Sequence, residues 1–135
     1  MEKLTIESTL NSPRIILDPA SNQFEFSGES RPENVRNFYM PILEWLEAFA
    51  GECAGKGKGG GDQPLEFRFG FEYFNSTSAK YILDVFKILH NIQEAGTGIQ
   101  VKWRYEEDDE DMFEVGQEMA RMSGLEFEYV EVEVE

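Results

Sequence analysis

The segment from Phe71 to Lys80 reads FEYFNSTSAK and predicts the end of a strand followed directly by the start of a helix. Its aromatic residues are typical of a buried strand, and they stop at Asn75, which three hydroxyl residues follow. Apolar residues then recur at helical spacing, at Ile82, Val85, Phe86 and Leu89. The sequence therefore places side-chain hydroxyls at the carboxyl end of a strand and the amino end of a helix. Open α/β sheets bind ligands at this edge, and the helix dipole there favours anions.

The hydroxyl cluster at residues 75–78 has two interpretations. Asn, Ser and Thr are preferred residues at helix amino termini, and the local sequence alone favours this capping role. A phosphate on Ser76 would instead bring about two negative charges to the junction. The next strand is expected to run parallel and to end near the acidic run Glu106 to Asp111, so a phosphate would act beside existing carboxylates.

Composition limits the possible functions. The chain has 135 residues, of which 41% are hydrophobic and 13% aromatic, and this predicts a single folded domain over residues 1–135. Its 27 acidic and 12 basic residues give a net charge of −15, which argues against nucleic-acid and membrane partners. The single cysteine, Cys53, excludes an internal disulfide. With no apolar run of membrane-spanning length and no signal-peptide core, we expect a cytoplasmic protein.

Hydrophobic periodicity predicts an α/β fold of one mixed sheet with helices packed on it. An N-terminal hairpin covers Ile15 to Phe26, and β-α-β-α-β follows the first helix. Ser30 to Glu33 resembles a capping box at the start of that helix, and Pro41 should kink or split it. Residues 51–64 predict a flexible glycine-rich loop. The remaining predicted elements are a central strand Leu65 to Phe74, a helix Ser76 to Ala95, a strand Ile99 to Tyr105, a helix with Met112, Val115, Met119 and Met122 in the core, and a strand Leu125 to Val134.

Candidate catalytic residues do not assemble into a recognisable constellation. His90 lies on the same predicted helix as Ser76, about 20 Å away, which is too far for a hydrogen bond. Cys53 falls in the predicted glycine-rich loop without an adjacent base. We therefore expect neither an enzyme nor a bound cofactor or metal. Two alternatives remain: a constitutive acidic adaptor, and a divalent-metal-dependent hydrolase or phosphotransfer enzyme using Asp108, Asp109 and Asp111.

Three segments in order give the chain a family resemblance. They are GESRPEN at residues 28–34, YFNSTSAK at residues 73–80 and WRYE at residues 103–106. Together and at this spacing, from about Pro13 to about Val130, they resemble the SiaC family of bacterial regulatory phosphoproteins. That family is related in fold to the STAS domains of anti-sigma-factor antagonists, so the resemblance implies a single STAS-like domain.

The resemblance also implies a function. Members of this family are phosphorylated on a hydroxyl at this junction by a partner kinase and dephosphorylated by a PP2C-type phosphatase. The unphosphorylated form binds and activates a diguanylate cyclase, which controls cyclic-di-GMP and biofilm formation. By position the acceptor falls on Ser76, and Thr77 is a second candidate because the family often has threonine where this chain has Ser76.

Other residues are expected to shape the junction or contact partners. Asn75 and Ser78 flank the acceptor, and Lys80 and Lys87 lie on the predicted outward face of the helix. Phe113 is a possible apolar contact for a partner, although packing at the edge of the core is the competing interpretation.

Overall fold

A computed structural model describes residues 1–56 and 63–134. Within these residues the chain forms one mixed sheet and a set of helices that alternate with its later strands. The elements are β1 (Leu4–Ile6), β2 (Arg14–Asp18), β3 (Gln23–Ser30), α1 (Val35–Lys56), β4 (Leu65–Phe74), α2 (Ser76–Glu94), β5 (Ile99–Glu106), α3 (Glu110–Ser123) and β6 (Phe127–Val132).

The strands lie in the sheet in the order in which they occur in the chain, β1-β2-β3-β4-β5-β6. Strands β1, β2 and β3 are antiparallel neighbours, whereas β3 to β6 are parallel. The predicted α/β class, the N-terminal hairpin and the parallel β-α-β-α-β unit are therefore confirmed. Strand β1 pairs antiparallel with β2 and extends this hairpin at the edge of the sheet.

The helices form one layer on one face of the sheet. Each parallel pair is joined through a helix, and because such crossovers are right-handed and step in one direction, their helices lie on the same side. Helix α2 packs between α1 and α3. Aromatic residues of the central strands fill the space beneath these helices, including the fully buried Phe24, Phe26, Phe67, Phe69 and Trp103. None of the helices within the described ranges is long and apolar enough to cross a membrane.

Helix α1 differs from its prediction at both ends. Its cap is Asn34, whose side-chain oxygen accepts a hydrogen bond from the Asn37 amide at 3.0 Å, so the predicted capping box at Ser30 is wrong. Pro41 lies inside the continuous helix and does not split it. The predicted loop over residues 51–64 is wrong for residues 51–56, which are helical, and residues 57–62 lie outside the described ranges.

Burial explains why α1 continues into the glycine-rich segment. Its apolar stripe runs on through Ile42, Leu46, Phe49 and Cys53, all of which are buried. Packing of this stripe on the core outweighs the low helix propensity of Gly51. Cys53 therefore lies in the core and not in a loop, which corrects its predicted position.

The predicted core face of α3 is wrong at one residue. Met112 and Met119 are buried, but Met122 is 54% exposed. The stripe continues four residues after Met119 at Ser123, which is buried, so Met122 points away from the sheet. The helix then ends at Gly124, whose φ of 78° is readily adopted by glycine.

Candidate functional site

The junction between β4 and α2 is held by Asn75. Its backbone is extended, with φ −83° and ψ 171°, and its side-chain oxygen accepts a hydrogen bond from the Ser78 amide at 2.8 Å. This caps one of the amides that a helix start leaves without a partner. The Asn75 amide itself donates to the Ser30 carbonyl at 3.1 Å, which ties the junction to the end of β3.

A bulge directs the chain into this junction. Gly28 of β3 pairs with Phe71 of β4, but the next residue, Glu29, pairs with Tyr73. The pairing register therefore shifts by one residue after Gly28. Gly28 has a φ of 105°, a conformation that favours glycine. Tyr73 is consequently 50% exposed, whereas Phe74 turns inward against the rings of the core. Bulges commonly re-aim side chains beside functional sites, and this one immediately precedes the hydroxyl cluster.

Three buried hydroxyls, which we call the hydroxyl network, connect the junction to α1. The network consists of Ser30, Tyr39 and Ser78, and each residue is 0% exposed. The Ser30 and Tyr39 hydroxyls lie 2.6 Å apart, and Ser30 donates to the Ser78 hydroxyl at 3.0 Å. Ser78 in turn donates to the Ser30 carbonyl at 2.9 Å. Since each hydroxyl has one proton, Tyr39 must be the donor to Ser30, and every donor in the network is then satisfied.

Burial keeps the phenol of Tyr39 in its donating form. Loss of solvation raises the pKa of Tyr39 well above its ordinary value, and the hydrogen bond with Ser30 opposes this shift only in part. The hydroxyl network is therefore neutral, and it joins β3, α1 and α2 beneath the junction.

The same geometry separates the three hydroxyl residues of the cluster. Ser78 is buried, and both its amide and its hydroxyl are hydrogen-bonded, so it is closed to modification in the folded protein. Ser76 and Thr77 are exposed in the first turn of α2. That turn contains no acidic residue, and the amides of its first residues have no partner within a helix. The assignment of Ser76 or Thr77 as a phosphate acceptor stays a prediction.

The acidic run lies at the same edge of the sheet and begins α3. Asp109 caps this helix by accepting a hydrogen bond from the Met112 amide at 3.0 Å, and Glu110 and Asp111 occupy its first turn. A cavity of about 620 Å³ beside the run is lined by Glu106 and Asp109 but not by Ser76. Within residues 1–56 and 63–134, no group of three or more His, Cys, Asp or Glu side chains converges as a metal site. The metal-dependent alternative therefore has no site among these residues.

The remaining predicted contact residues lie on α2 and α3. Lys80 and Lys87 are exposed on α2, as the helical pattern predicts. Phe113 is half-buried, and its ring centroid lies 4.8 Å from that of Tyr105 and 5.2 Å from that of Tyr129. These contacts favour packing at the edge of the core over a role as a partner contact.

His90 lies on α2 at the opposite end of the helix from Ser76. A Cβ atom added at Gly124 would lie 3.2 Å from its Cε1 atom, so His90 packs beside the end of α3. Its separation from Ser76 along the helix, which excludes a catalytic triad, is retained in the structure.

Sequence reasoning missed two members of the hydroxyl network, Ser30 and Tyr39, although a signal for each was present. In β3, residues 24, 26, 28 and 30 alternate toward one face, so Ser30 had to point into the core. Tyr39 lies four residues after Val35 on the buried face of α1, and a buried tyrosine hydroxyl usually has a polar partner. The two signals together indicate a buried polar contact.

A family model, a sequence relative and two solved structures all match most of this chain. A family model described as SiaC family regulatory phosphoprotein matches residues 6–132. An uncharacterized protein of Pseudomonas aeruginosa strain UCBPP-PA14 is 26% identical over 118 residues, which are 87% of each chain. The crystal structure of apo-SiaC from Pseudomonas aeruginosa is 25% identical, with a TM-score of 0.80 over 96% of this chain and 99% of that one. A chain in the structure of the diguanylate cyclase SiaD with its activator SiaC, from the same organism, is 24% identical, with a TM-score of 0.81 over the same shares.

Proposed function

Since the chain belongs to the SiaC family of regulatory phosphoproteins, we propose that it is a phosphorylation-controlled partner switch for a diguanylate cyclase. It is a regulator and not itself an enzyme. In its unphosphorylated form it binds and activates the cyclase in the cytoplasm. A cognate kinase phosphorylates Ser76, with Thr77 as the second candidate, and a PP2C-type phosphatase reverses the modification. The switch thereby sets cyclic-di-GMP formation and biofilm growth.

The observation that supports this proposal most is the exposure of Ser76 on a rigid and uncharged helix start. The hydroxyl network beneath it fixes the junction, so the Ser76 side chain is presented at a defined position to a kinase. The positive end of the helix dipole and the unpaired first amides stabilise a phosphate of about two negative charges at this point.

A phosphate on Ser76 would also change the surface that a partner meets. Glu106 and Glu107 already lie exposed at the same edge, and the chain carries a net charge of −15. Two further negative charges strengthen the field at this edge and must be desolvated when a partner covers it. This accounts for release of the cyclase on phosphorylation.

The choice of a diguanylate cyclase as partner rests on the relatives. SiaC of Pseudomonas aeruginosa is the activator of the diguanylate cyclase SiaD in their complex, and this chain shares its fold over nearly the whole length. Lys80, about one turn after Ser76, and Lys87, about two turns further along α2, are exposed basic groups available to such a partner.

Binding of single-site variants to the cyclase encoded in the same genome tests the switch. By calorimetry, Ser76→Ala should bind as the unmodified protein does, whereas Ser76→Asp should bind at least tenfold more weakly. Ser21→Asp adds the same charge at the β2–β3 turn, on the opposite edge of the sheet, and should bind normally. Equal affinities of the Ala and Asp variants would contradict the switch and favour a constitutive acidic adaptor.

Peptide mass mapping tests the position of the phosphate. Protein isolated from its native cells, with the phosphatase gene removed, should carry one phosphate on Ser76 or Thr77. Thr77→Ala and Ser76→Ala variants expressed in the same cells decide between the two residues. A protein that stays unmodified in these cells would refute phosphorylation at this junction.

A further inference from the structure

The face of the sheet opposite the helices is not covered by any element within the described ranges, and we call it the open face. Parallel sheets are usually covered on both faces. Here the alternate residues of the central strands β4 and β5 point to the open face as a charged surface; they are Glu66, Arg68, Gly70 and Glu72 together with Lys102, Arg104 and Glu106.

A glycine shapes the middle of this surface. A Cβ atom added at Gly70 would lie 2.6 Å from Nη2 and 2.9 Å from Nε of Arg104. The guanidinium of Arg104 therefore lies flat across β4 in the space that any other residue at position 70 would fill. This packing orients the side chain before anything binds to it.

Arg104 differs from its basic neighbours in its pairing. Lys102 lies 2.5 Å from Glu66, and Arg68 lies 2.9 Å from the same carboxylate. These contacts lower the pKa of Glu66, chiefly through the hydrogen bond from Lys102, and raise the pKa of Lys102. Across residues 1–56 and 63–134, by contrast, no carboxylate lies within 4.0 Å of the Arg104 guanidinium. In a chain with 27 acidic residues, this leaves an oriented cation unpaired.

Two cavities on the open face meet at Gly70 and Arg104. One, of about 280 Å³, is lined by three basic side chains, Arg68, Lys102 and Arg104, and by one carboxylate, Glu25. The other, of about 620 Å³, extends toward the carboxyl edge and includes the carboxylates of Glu72 and Glu106. Because these glutamates lie two residues along their strands from Gly70 and Arg104, the charge of the groove changes sign over about 7 Å.

We propose that this groove docks a segment of a partner protein through a paired acid and base. An Asp or Glu of the partner forms a bidentate ion pair with Arg104 over Gly70, and a Lys or Arg about 7 Å further along meets Glu72 and Glu106. Arg104 is exposed, so this contact is polar and reversible. The groove reaches the carboxyl edge of the sheet at Glu106 but does not include Ser76, and the inference goes beyond the proposed function.

Charge complementarity favours a partner segment with both an acid and a base over a free anion or a second copy of this chain. A net charge of −15 repels free anions and also a second copy of the chain. A partner segment that brings its own cation offsets this repulsion at Glu72 and Glu106, which a lone phosphate does not do.

Nuclear magnetic resonance titration with matched peptides tests the proposal. The probes are Ac-GEGKG-amide, in which an extended chain places acid and base about 7 Å apart, and Ac-GQGKG-amide, which lacks the acid. The first should shift the Gly70 amide and the Arg104 Nε–H signals, and the second should bind at least tenfold more weakly.

Arg104→Gln should lose the response, whereas Arg121→Gln, which removes an exposed arginine on α3, should keep it. Gly70→Ala, which displaces the Arg104 side chain, should weaken binding without removing a charge.

Several results would overturn the proposal. Equal shifts from the two peptides, no shift from either at 10 mM (roughly 3 kcal/mol of binding), or an unchanged response in Arg104→Gln would each exclude the ion pair. Inorganic phosphate that saturates the same signals as readily as the acidic peptide would indicate a small-anion site. Movement of these signals on simple concentration of the protein would indicate a second copy as the occupant.

Discussion

Helices α2 and α3 begin at the same edge of the sheet, but their first turns are stabilised by different means. Each is capped by a side-chain oxygen that accepts a hydrogen bond from the amide three residues later. Asn75 supplies this oxygen for α2, and Asp109 supplies it for α3. The first turn of α3 also carries Glu110 and Asp111, whereas that of α2 has no acidic residue. Buried hydroxyls anchor α2, while the Trp103 indole anchors α3 by donating to a backbone carbonyl at 3.0 Å.

The negative charge at the start of α3 is permanent, whereas α2 would gain one only on phosphorylation. Carboxylates at the start of α3 already complement its dipole at all times near neutral pH. The start of α2 has the same dipole and no charge to complement it, so a phosphate there would supply what α3 possesses permanently. A helix start built from exposed and buried hydroxyls is thus suited to reversible modification.

One of the two largest effects on stability is expected where α3 meets the sheet. A Cβ atom added at Gly116 would lie 2.5 Å from the Trp103 ring, so Gly116→Ala should destabilise the protein by about 1–3 kcal/mol. Gly51→Ala on α1 is the control, because its Cβ would meet no atom within 4 Å, and it should stabilise by up to about 1 kcal/mol. Urea unfolding measures both. Similar changes for the two variants would mean that α3 is not held by this contact.

The hydroxyl network that anchors α2 should contribute measurably to the free energy of unfolding. Ser78→Ala leaves the Ser30 hydroxyl without its acceptor and should cost about 1–3 kcal/mol of unfolding free energy. Thr77→Ala, one residue earlier and exposed, should change it by less than about 0.5 kcal/mol. Equal losses for the two variants would show that the hydroxyl network does not anchor the helix.

The two caps should be similar in strength but different in salt dependence. Asn75→Ala and Asp109→Ala should each cost about 1 kcal/mol, since each leaves an amide uncapped. Added salt should reduce the cost only for Asp109→Ala, because only that variant loses a charge near the dipole. Thermal unfolding at 0.05 M and 1 M NaCl tests this. An identical salt response would remove the proposed electrostatic distinction between the helix starts.

The smallest effects come from exchanging the charge between the two starts. Ser76→Asp should raise the unfolding free energy by about 0.3–1 kcal/mol through the dipole, and Glu110→Gln should lower it by a similar amount. Ser76→Asp is also the variant expected to bind the cyclase weakly, so its gain in stability would exclude unfolding as the cause. A destabilised Ser76→Asp would contradict the favourable field at the start of α2.

The sequence predicted those features that depend on local pattern. The central strand Leu65–Phe74, the beginning of α2 at Ser76 and the parallel arrangement follow from periodicity and capping, and the structure has them. The hydroxyl network was not predicted because it joins residues as far apart as Ser30 and Ser78, and their contact depends on the bulge at Gly28. The Arg104 contact over Gly70 likewise needs the register of two neighbouring strands.

The order of the strands has a consequence for how the chain reaches its native state. Every strand after the first pairs with the strand that precedes it in the chain, so each pairing can form as soon as its second strand has been made. During synthesis on the ribosome, each newly emerged helix and strand can also add to a sheet edge that is already formed. The edge strand of the growing sheet is then always the strand synthesised last, so each strand can begin to pair before the rest of the chain has been made.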